Sequence, residues 1–243
     1  MAPEGPGAAI ARRDFADAEA LAAALAAAVA AALRQGVAAR GSATLAVSGG
    51  RTPARFFAAL AQQPLPWSEV TVTLVDERWV PPDSARSNEA LLRAHLLQGP
   101  AAAARLVGLV TAAESPERGL AEVAARLDAL PLPLDVVVLG MGTDGHTASF
   151  FPGGDRLAEA LDIGDGSVGA APVLPMRAPG AGEPRITLTL PLIAAARAVY
   201  LHIEGAEKAA VLERALWPGP VEEMPVRAVL RACTRALEVF WCP

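Results

Sequence analysis

Two alternating periods constrain this chain more than any other feature. Short β-branched or apolar runs at Thr44 to Val47, Val70 to Val75, Asp135 to Leu139 and Ala198 to Ile203 read as strands. Between and after them lie windows with helical spacing, at Pro53 to Leu60, Asn88 to Leu97, Pro116 to Leu130 and Glu207 to Leu216. Continuous apolar strands alternating with helices predict an α/β fold, a mostly parallel sheet with helices on both faces. Arg185 to Leu190 reads as a further strand, and Leu237 to Trp241 as a last, edge strand. No internal repeat or charged linker interrupts the pattern, so residues 1–243 are expected to form one domain.

An early apolar stretch, Ala20 to Leu33, carries no charge and invites a membrane reading. It is too short, because a spanning helix takes about 20 apolar residues, and most of it is alanine. Leu21, Leu25, Val29 and Leu33 recur every fourth residue, which predicts a helix laying a narrow stripe on a core. Nucleic acid is disfavoured too. The formal net charge is −5, whereas phosphate-backbone binding needs a clustered basic surface. The two cysteines, Cys233 and Cys242, lack metal-ligand spacing, and no secretory leader is legible, so a reduced cytoplasm is expected. No two histidines share metal-ligand spacing, so neither metal nor other cofactor is expected. Oligomeric state stays open, and a monomer suffices.

In open parallel sheets, ligands bind outside the carboxyl ends of the strands, so the segments after each strand matter most. After the first comes Ser48-Gly49-Gly50-Arg51-Thr52-Pro53. Thr52 is a suitable N-cap and Pro53 a suitable first helical residue, while the glycines let backbone approach a ligand. A helix N-terminus of this kind suits phosphate, although an empty strand-to-helix turn would use the same residues. After the second strand comes Asp76-Glu77-Arg78-Trp79, two carboxylates and a guanidinium delivered to the mouth of the sheet. A surface ion-pair cluster is the plain alternative. Ser87-Asn88 reads as a structural cap for the following helix.

After Leu139 comes Gly140-Met141-Gly142-Thr143-Asp144-Gly145-His146-Thr147-Ala148-Ser149. It contains G-x-G-x-x-G, but late in the chain, and Pro152-Gly153-Gly154 interrupts the helix a dinucleotide would need. A catalytic loop fits better: amides of Gly142 to Gly145 facing an oxyanion, His146 moving a proton, and Asp144 orienting the imidazole. His95 reads as a surface residue and His202 as a hydrogen-bonded structural one. The long connection from Pro152 to Glu183, with a short helix at Arg156 to Leu161, has the length of a functional loop. Of 21 basic residues, twenty are arginine and one is lysine, Lys208. In the first turn of a helix it opposes the helix dipole, so a phosphate partner is its expected task, with Arg185 as a second clamp.

Taken together, these segments resemble the 6-phosphogluconolactonases, with Phe151-Pro152-Gly153, Pro184 to Thr189 and Gly205 to Lys208 continuing the match over roughly residues 40–216. The resemblance implies a cofactor-free and metal-free hydrolase on a Rossmann-like sheet, opening a sugar-phosphate lactone. Carried over residue by residue, it makes His146 the base, with Asp144 beside it. Arg78 and Lys208 become contacts to substrate or phosphate, and Ser48, Gly49, Gly50, Thr52, Asp76, Gly142 and Arg185 further contacts. The related glucosamine-6-phosphate deaminases carry a catalytic glutamate shortly after the histidine. Here His146 is followed by Thr-Ala-Ser-Phe-Phe-Pro-Gly, which favours lactone hydrolysis over deamination. A non-catalytic sugar-phosphate-binding domain is the third possibility, though no DNA-binding helices or basic face accompany it.

Overall fold

The computed structural model describes residues 10–50, 52–162, 171–233 and 237–243. Within them the chain runs β1 (Ala11–Asp14), α1 (Ala18–Arg40), β2 (Ala43–Val47), α2 (Ala54–Ala61), β3 (Val70–Leu74), β4 (Asp76–Arg78) and α3 (Asn88–His95). It continues through β5 (Arg105–Val107), α4 (Pro116–Asp128), β6 (Val136–Leu139), α5 (Leu157–Ala160), β7 (Val173–Met176), β8 (Arg185–Leu188) and α6 (Leu190–Ala194). Last come β9 (Ala198–Glu204), α7 (Ala206–Leu216), α8 (Val226–Ala232) and β10 (Leu237–Cys242).

The expected parallel sheet forms. Seven strands pair in the order β1-β10-β9-β6-β2-β3-β5, every neighbour parallel. Central strands β2 and β6 are buried at every residue, which requires cover on both faces and explains why β6 is wholly apolar and β2 departs from that only at Thr44. From β2 the chain moves outward through β3 to β5; from β6 it moves the other way through β9 to β10. The direction reverses between β2 and β6, and a crevice opens at such a switch point.

Helix α1 is longer than the apolar stretch that announced it. Asp17 caps it, its carboxylate accepting from the Ala20 amide at 2.8 Å, and Gly41 ends it in a left-handed conformation at φ 77°. By length and composition it could cross a membrane, but Leu21, Leu25, Val29 and Leu33 are fully buried, and the helix packs on α2 and β2. Each such side chain contributes roughly 1.5–3 kcal/mol of burial, so the stripe is core.

Four expectations are corrected. The strand at Leu237–Cys242 is not an edge, because β1 pairs outside it, Ala11 opposite Glu238. All four β1 residues are exposed, so backbone hydrogen bonds hold it and no apolar alternation announces it. The strand at Arg185 stops at Leu188 and leaves the parallel sheet for a separate antiparallel one, ordered β4-β8-β7. The connection from Pro152 to Glu183 contributes the third strand, β7; residues 163–170 lie outside the described residues. Finally, α2 begins after Pro53, which takes the cap position without a side-chain bond, so Thr52 is not the N-cap. Arg51 lies outside the described residues.

Candidate active site

A cleft of about 720 Å³ opens at the carboxyl ends of β2, β6 and β9. It gathers Ser48, Gly49, Gly50 and Thr52 after β2; Asp76 and Arg78 from β4; Gly142, Asp144 and His146 after β6; Arg185 from β8; and Lys208 from the first turn of α7. The residues expected to touch substrate therefore line one cavity. Those after β2, β6 and β9 meet because their segments leave the same edge of one parallel sheet, whereas Asp76, Arg78 and Arg185 come from the separate antiparallel sheet.

The loop after β6 builds a histidine–carboxylate pair. Asp144 Oδ1 lies 2.5 Å from His146 Nδ1 and also accepts from the His146 amide at 3.1 Å. Partial burial alone would push the Asp144 carboxyl up. Hydrogen bonds from the His146 ring and amide outweigh that and hold it below the usual carboxylate range, so it stays ionised at neutral pH. An ionised partner fixes the proton on Nδ1 and leaves Nε2 as the basic ring nitrogen. Gly142 is required here because a Cβ on it would meet His146 Nδ1 at 2.2 Å.

Two of the expected oxyanion donors are committed elsewhere. The Gly142 amide donates to His146 O at 2.9 Å and the Gly145 amide to Gly142 O at 3.1 Å, so both close the loop on itself and shape the histidine turn.

Opposite the histidine, the antiparallel sheet presents cations. Arg78 and Arg185 are direct partners in the β4–β8 register and both line the cleft. Arg185 is only 7% exposed; burial pulls its pKa down while Asp76, 3.8 Å away, pushes it up. Its guanidinium donates to Ala181 O at 2.6 Å, and that of Arg78 to Arg86 O at 2.5 Å. Among the described residues, Nε in both is buried without a partner, and so are the hydroxyl of Ser48 and, outside the cleft, Nε of Arg227. Two guanidinium groups and a hydroxyl lining one cleft suit an oxygen-rich, anionic ligand.

Other motif residues turn out to be scaffolding. Of the two carboxylates after β3, only Asp76 reaches the cleft, accepting from Ser149 Oγ at 2.6 Å. Glu77 turns away, is 1% exposed, and accepts the Asn88 and Glu89 amides at 2.8 and 2.7 Å, satisfying the N-terminus of α3. Burial nonetheless pushes its pKa up. Ser87 is the expected cap, accepting from the Ala90 amide at 3.1 Å. Asn88 does more: its Nδ2 donates to Asp76 O at 2.9 Å, and its side chain packs so closely on Gly49 that a Cβ there would overlap it. Thr147 Oγ1 donates to Gly140 O at 2.7 Å, pinning the histidine loop. His95 sits exposed in the last turn of α3.

Sequence reasoning passed over a second pair in the same cleft. His202 is buried and hydrogen-bonded as expected, its Nε2 3.0 Å from Glu204 Oε1, and both residues line the cavity. The hydrogen bond with His202 holds the Glu204 carboxyl low against the effect of burial, with Arg55 and Lys208 adding to it. The alternation of β9 could have flagged this, since His202 and Glu204 are two apart and share a face. Among the described residues no group of three or more His, Cys, Asp or Glu side chains is arranged to hold a metal ion.

The chain resembles known proteins over nearly its whole length. The family model described as glucosamine-6-phosphate isomerases/6-phosphogluconolactonase matches residues 16–241. The chain is 52% identical to the 6-phosphogluconolactonase of Mesorhizobium japonicum, covering 94% of each chain. It is equally similar, at 52%, to that of Rhizobium meliloti, covering 94% of this chain and 97% of the other. The crystal structure of a 6-phosphogluconolactonase from Shewanella baltica superposes with a TM-score of 0.93 at 40% identity, covering 98% of this chain and 100% of that one. With its parallel sheet, its cleft and these similarities, the chain belongs to the glucosamine-6-phosphate isomerase/6-phosphogluconolactonase family.

Proposed function

We propose that this chain hydrolyses 6-phospho-D-glucono-1,5-lactone to 6-phospho-D-gluconate, the lactonase step of the oxidative pentose phosphate pathway, with His146 as general base. One observation carries the mechanism: a 2.5 Å Asp144–His146 contact facing, across one cleft, cations with unsatisfied buried nitrogens. With Nδ1–H donated to Asp144, Nε2 takes a proton from water as the water oxygen attacks C1 of the lactone. The tetrahedral oxyanion collapses, the bond from C1 to the ring oxygen breaks, and the proton on Nε2 passes to that oxygen. The carboxylic acid product then ionises and releases one proton to solvent. Arg78, Arg185 and Lys208 divide between the phosphate and the developing oxyanion, with Ser48, Gly49, Gly50 and Thr52 forming the wall beside them.

Deamination is disfavoured by the same loop. After His146 the next carboxylate is Asp155, and the intervening Thr147 and Ser149 hydroxyls are committed to Gly140 and Asp76. No step uses a metal or a bound cofactor. The free, buried cysteines Cys233 and Cys242 agree with work in the cytoplasm, and one α/β domain carries the whole site.

The test is proton release, followed on adding freshly made lactone and corrected for spontaneous hydrolysis. Acceleration proportional to enzyme concentration is expected. Binding of 6-phosphogluconate without acceleration would overturn the reading in favour of a non-catalytic sugar-phosphate-binding domain.

A further inference from the structure

One side chain in the cleft touches both halves of this machinery and has no assigned task. Phe151 is 4% exposed and lines the cleft. Its ring stacks on the His146 imidazole, centroids 4.5 Å apart at an interplanar angle of 30°. The Arg185 guanidinium lies over the same ring, 5.4 Å from its centroid. One aromatic ring thus contacts the base and a cation of the anion site, two groups that share no hydrogen bond among those described.

The backbone is bent to bring this about. Ala148 takes a positive φ of 51°, a conformation that costs an L-residue free energy, and the Phe150 amide closes the turn on Thr147 O at 3.0 Å. Thr147 in turn is tied to Gly140. The strained turn folds the segment after His146 back on itself and returns Phe151 to the imidazole.

Both contacts bear on chemistry. A stacked ring restricts the imidazole to orientations in which Nδ1 meets Asp144 and Nε2 stays available. An aromatic face also offsets part of what burial takes from a guanidinium, and among the described residues Asp76, at 3.8 Å, is the only carboxylate within 4 Å of Arg185. We propose that Phe151 is a positioning residue that holds His146 and Arg185 through the two contacts of one ring, coupling the base to the anion site. The proposal rests on His146 being the base.

Aromatic stacking and cation–π contacts at such sites are each worth up to about tenfold in an equilibrium or rate. Phe151→Leu, which keeps the site apolar, should therefore lower kcat about tenfold and raise KM several-fold. Phe151→Tyr should restore both to within about threefold, because the ring is what matters. A purely space-filling role would leave the two variants alike, with losses that track thermal stability, and would overturn the proposal.

Proton NMR supplies a readout that does not depend on turnover. The chain has three histidines, so the His146 Cε1–H resonance is assigned by its loss in His146→Ala. In the wild-type protein the ring current of Phe151 should shift it upfield; Leu should abolish the shift and Tyr should retain it. An unmoved resonance in Phe151→Leu would overturn the stack even in an active lactonase. A shifted resonance in a protein without lactonase activity would leave the stack intact and remove the functional reading instead.

Discussion

The two ends of the central strands solve the same problem in opposite ways. At the amino end, Asp135 precedes β6, is 4% exposed, and is fully engaged. It accepts from the Thr44 amide at 2.8 Å and Thr44 Oγ1 at 3.3 Å, pairs closely with Arg40, and lies 3.6 Å from Arg197. At the carboxyl end, the Ser48 hydroxyl and the Nε atoms of Arg78 and Arg185 are buried with no partner among the described residues. Strands β2 and β6 run through both places. A closed polar cluster stabilises the fold, whereas an open one gives up stability so that a ligand can complete it. Charge near a sheet therefore reads as function where its hydrogen bonds are left unmade.

Mutations at the two ends should separate accordingly, and the largest effect is expected at the open end. His146→Ala should lower kcat by at least about a hundredfold, the usual worth of a general base, with little loss of stability because the ring is a third exposed. Steady-state kinetics and thermal unfolding on one preparation check both halves. Near-normal turnover would remove His146 from the mechanism.

Next in size, Arg185→Met should raise KM about tenfold or more at a modest cost in thermal stability. Removing one partner of a buried ion pair destabilises, but Asp76 keeps its hydrogen bond from Ser149 Oγ and the cleft beside it. A large fall in melting temperature would mean that Arg185 belongs to the scaffold, and the contrast between the two ends would fail. Excess 6-phosphogluconate should stabilise the wild-type protein, by about 2.7 kcal/mol at a hundred times its Kd, and much less the Arg185→Met variant.

At the closed end the expectation inverts. Asp135→Asn should cost about 1–3 kcal/mol of unfolding free energy, the range for disturbing a buried hydrogen-bonded carboxylate. The lower half of that range is expected, because Arg40 and Arg197 are 37% and 47% exposed and solvent screens them. Urea denaturation measures it; kcat and KM should not move.

The smallest effects concern pH. The folded-state pKa of Asp144 lies below its ordinary value, so its contribution is present above about pH 4 and lost as pH falls through the lower folded value. Asp144→Asn should remove that acid-side dependence, a small change because the carboxylate is nearly half exposed, and should also lower kcat. Cys233 behaves oppositely: burial pushes its thiol up to about 11, so it stays protonated at neutral pH. It should resist alkylation at pH 8 until the chain unfolds, and stability should fall as pH rises from about 9 toward 11. Rapid labelling of the native protein would contradict that burial.

Much of this was legible in the sequence, for identifiable reasons. β2, β3, β6 and β9 are largely buried on both faces and therefore write themselves as apolar or β-branched runs. The segments after them carry the site because parallel topology brings strand ends together. What escaped has no side-chain signature. β1 is Ala-Arg-Arg-Asp, wholly exposed and held by its backbone; β4 is Asp-Glu-Arg, whose charges read as loop. Thr52 and Pro53 carry a capping pattern that would serve α2 one residue earlier than it begins. The amides of Gly142 and Gly145 read as oxyanion donors in the sequence, but in the fold they are bonded to carbonyls of their own loop.

The sequence by itself determined the periodicities, and with them the parallel sheet, because burial on two faces leaves no other way to order such residues. It also determined that the segments after β2, β6 and β9 meet, since strand ends in that topology converge on one crevice; the antiparallel sheet that brings Arg78 and Arg185 there was not legible. Only the tertiary structure decided what each group is free to do. Whether a buried nitrogen is satisfied, whether an amide is already spent, and which ring a histidine leans on depend on contacts between segments distant in the chain. Asp76 and Glu77 are neighbours, yet one faces the cleft and the other caps α3, because successive strand residues point to opposite faces.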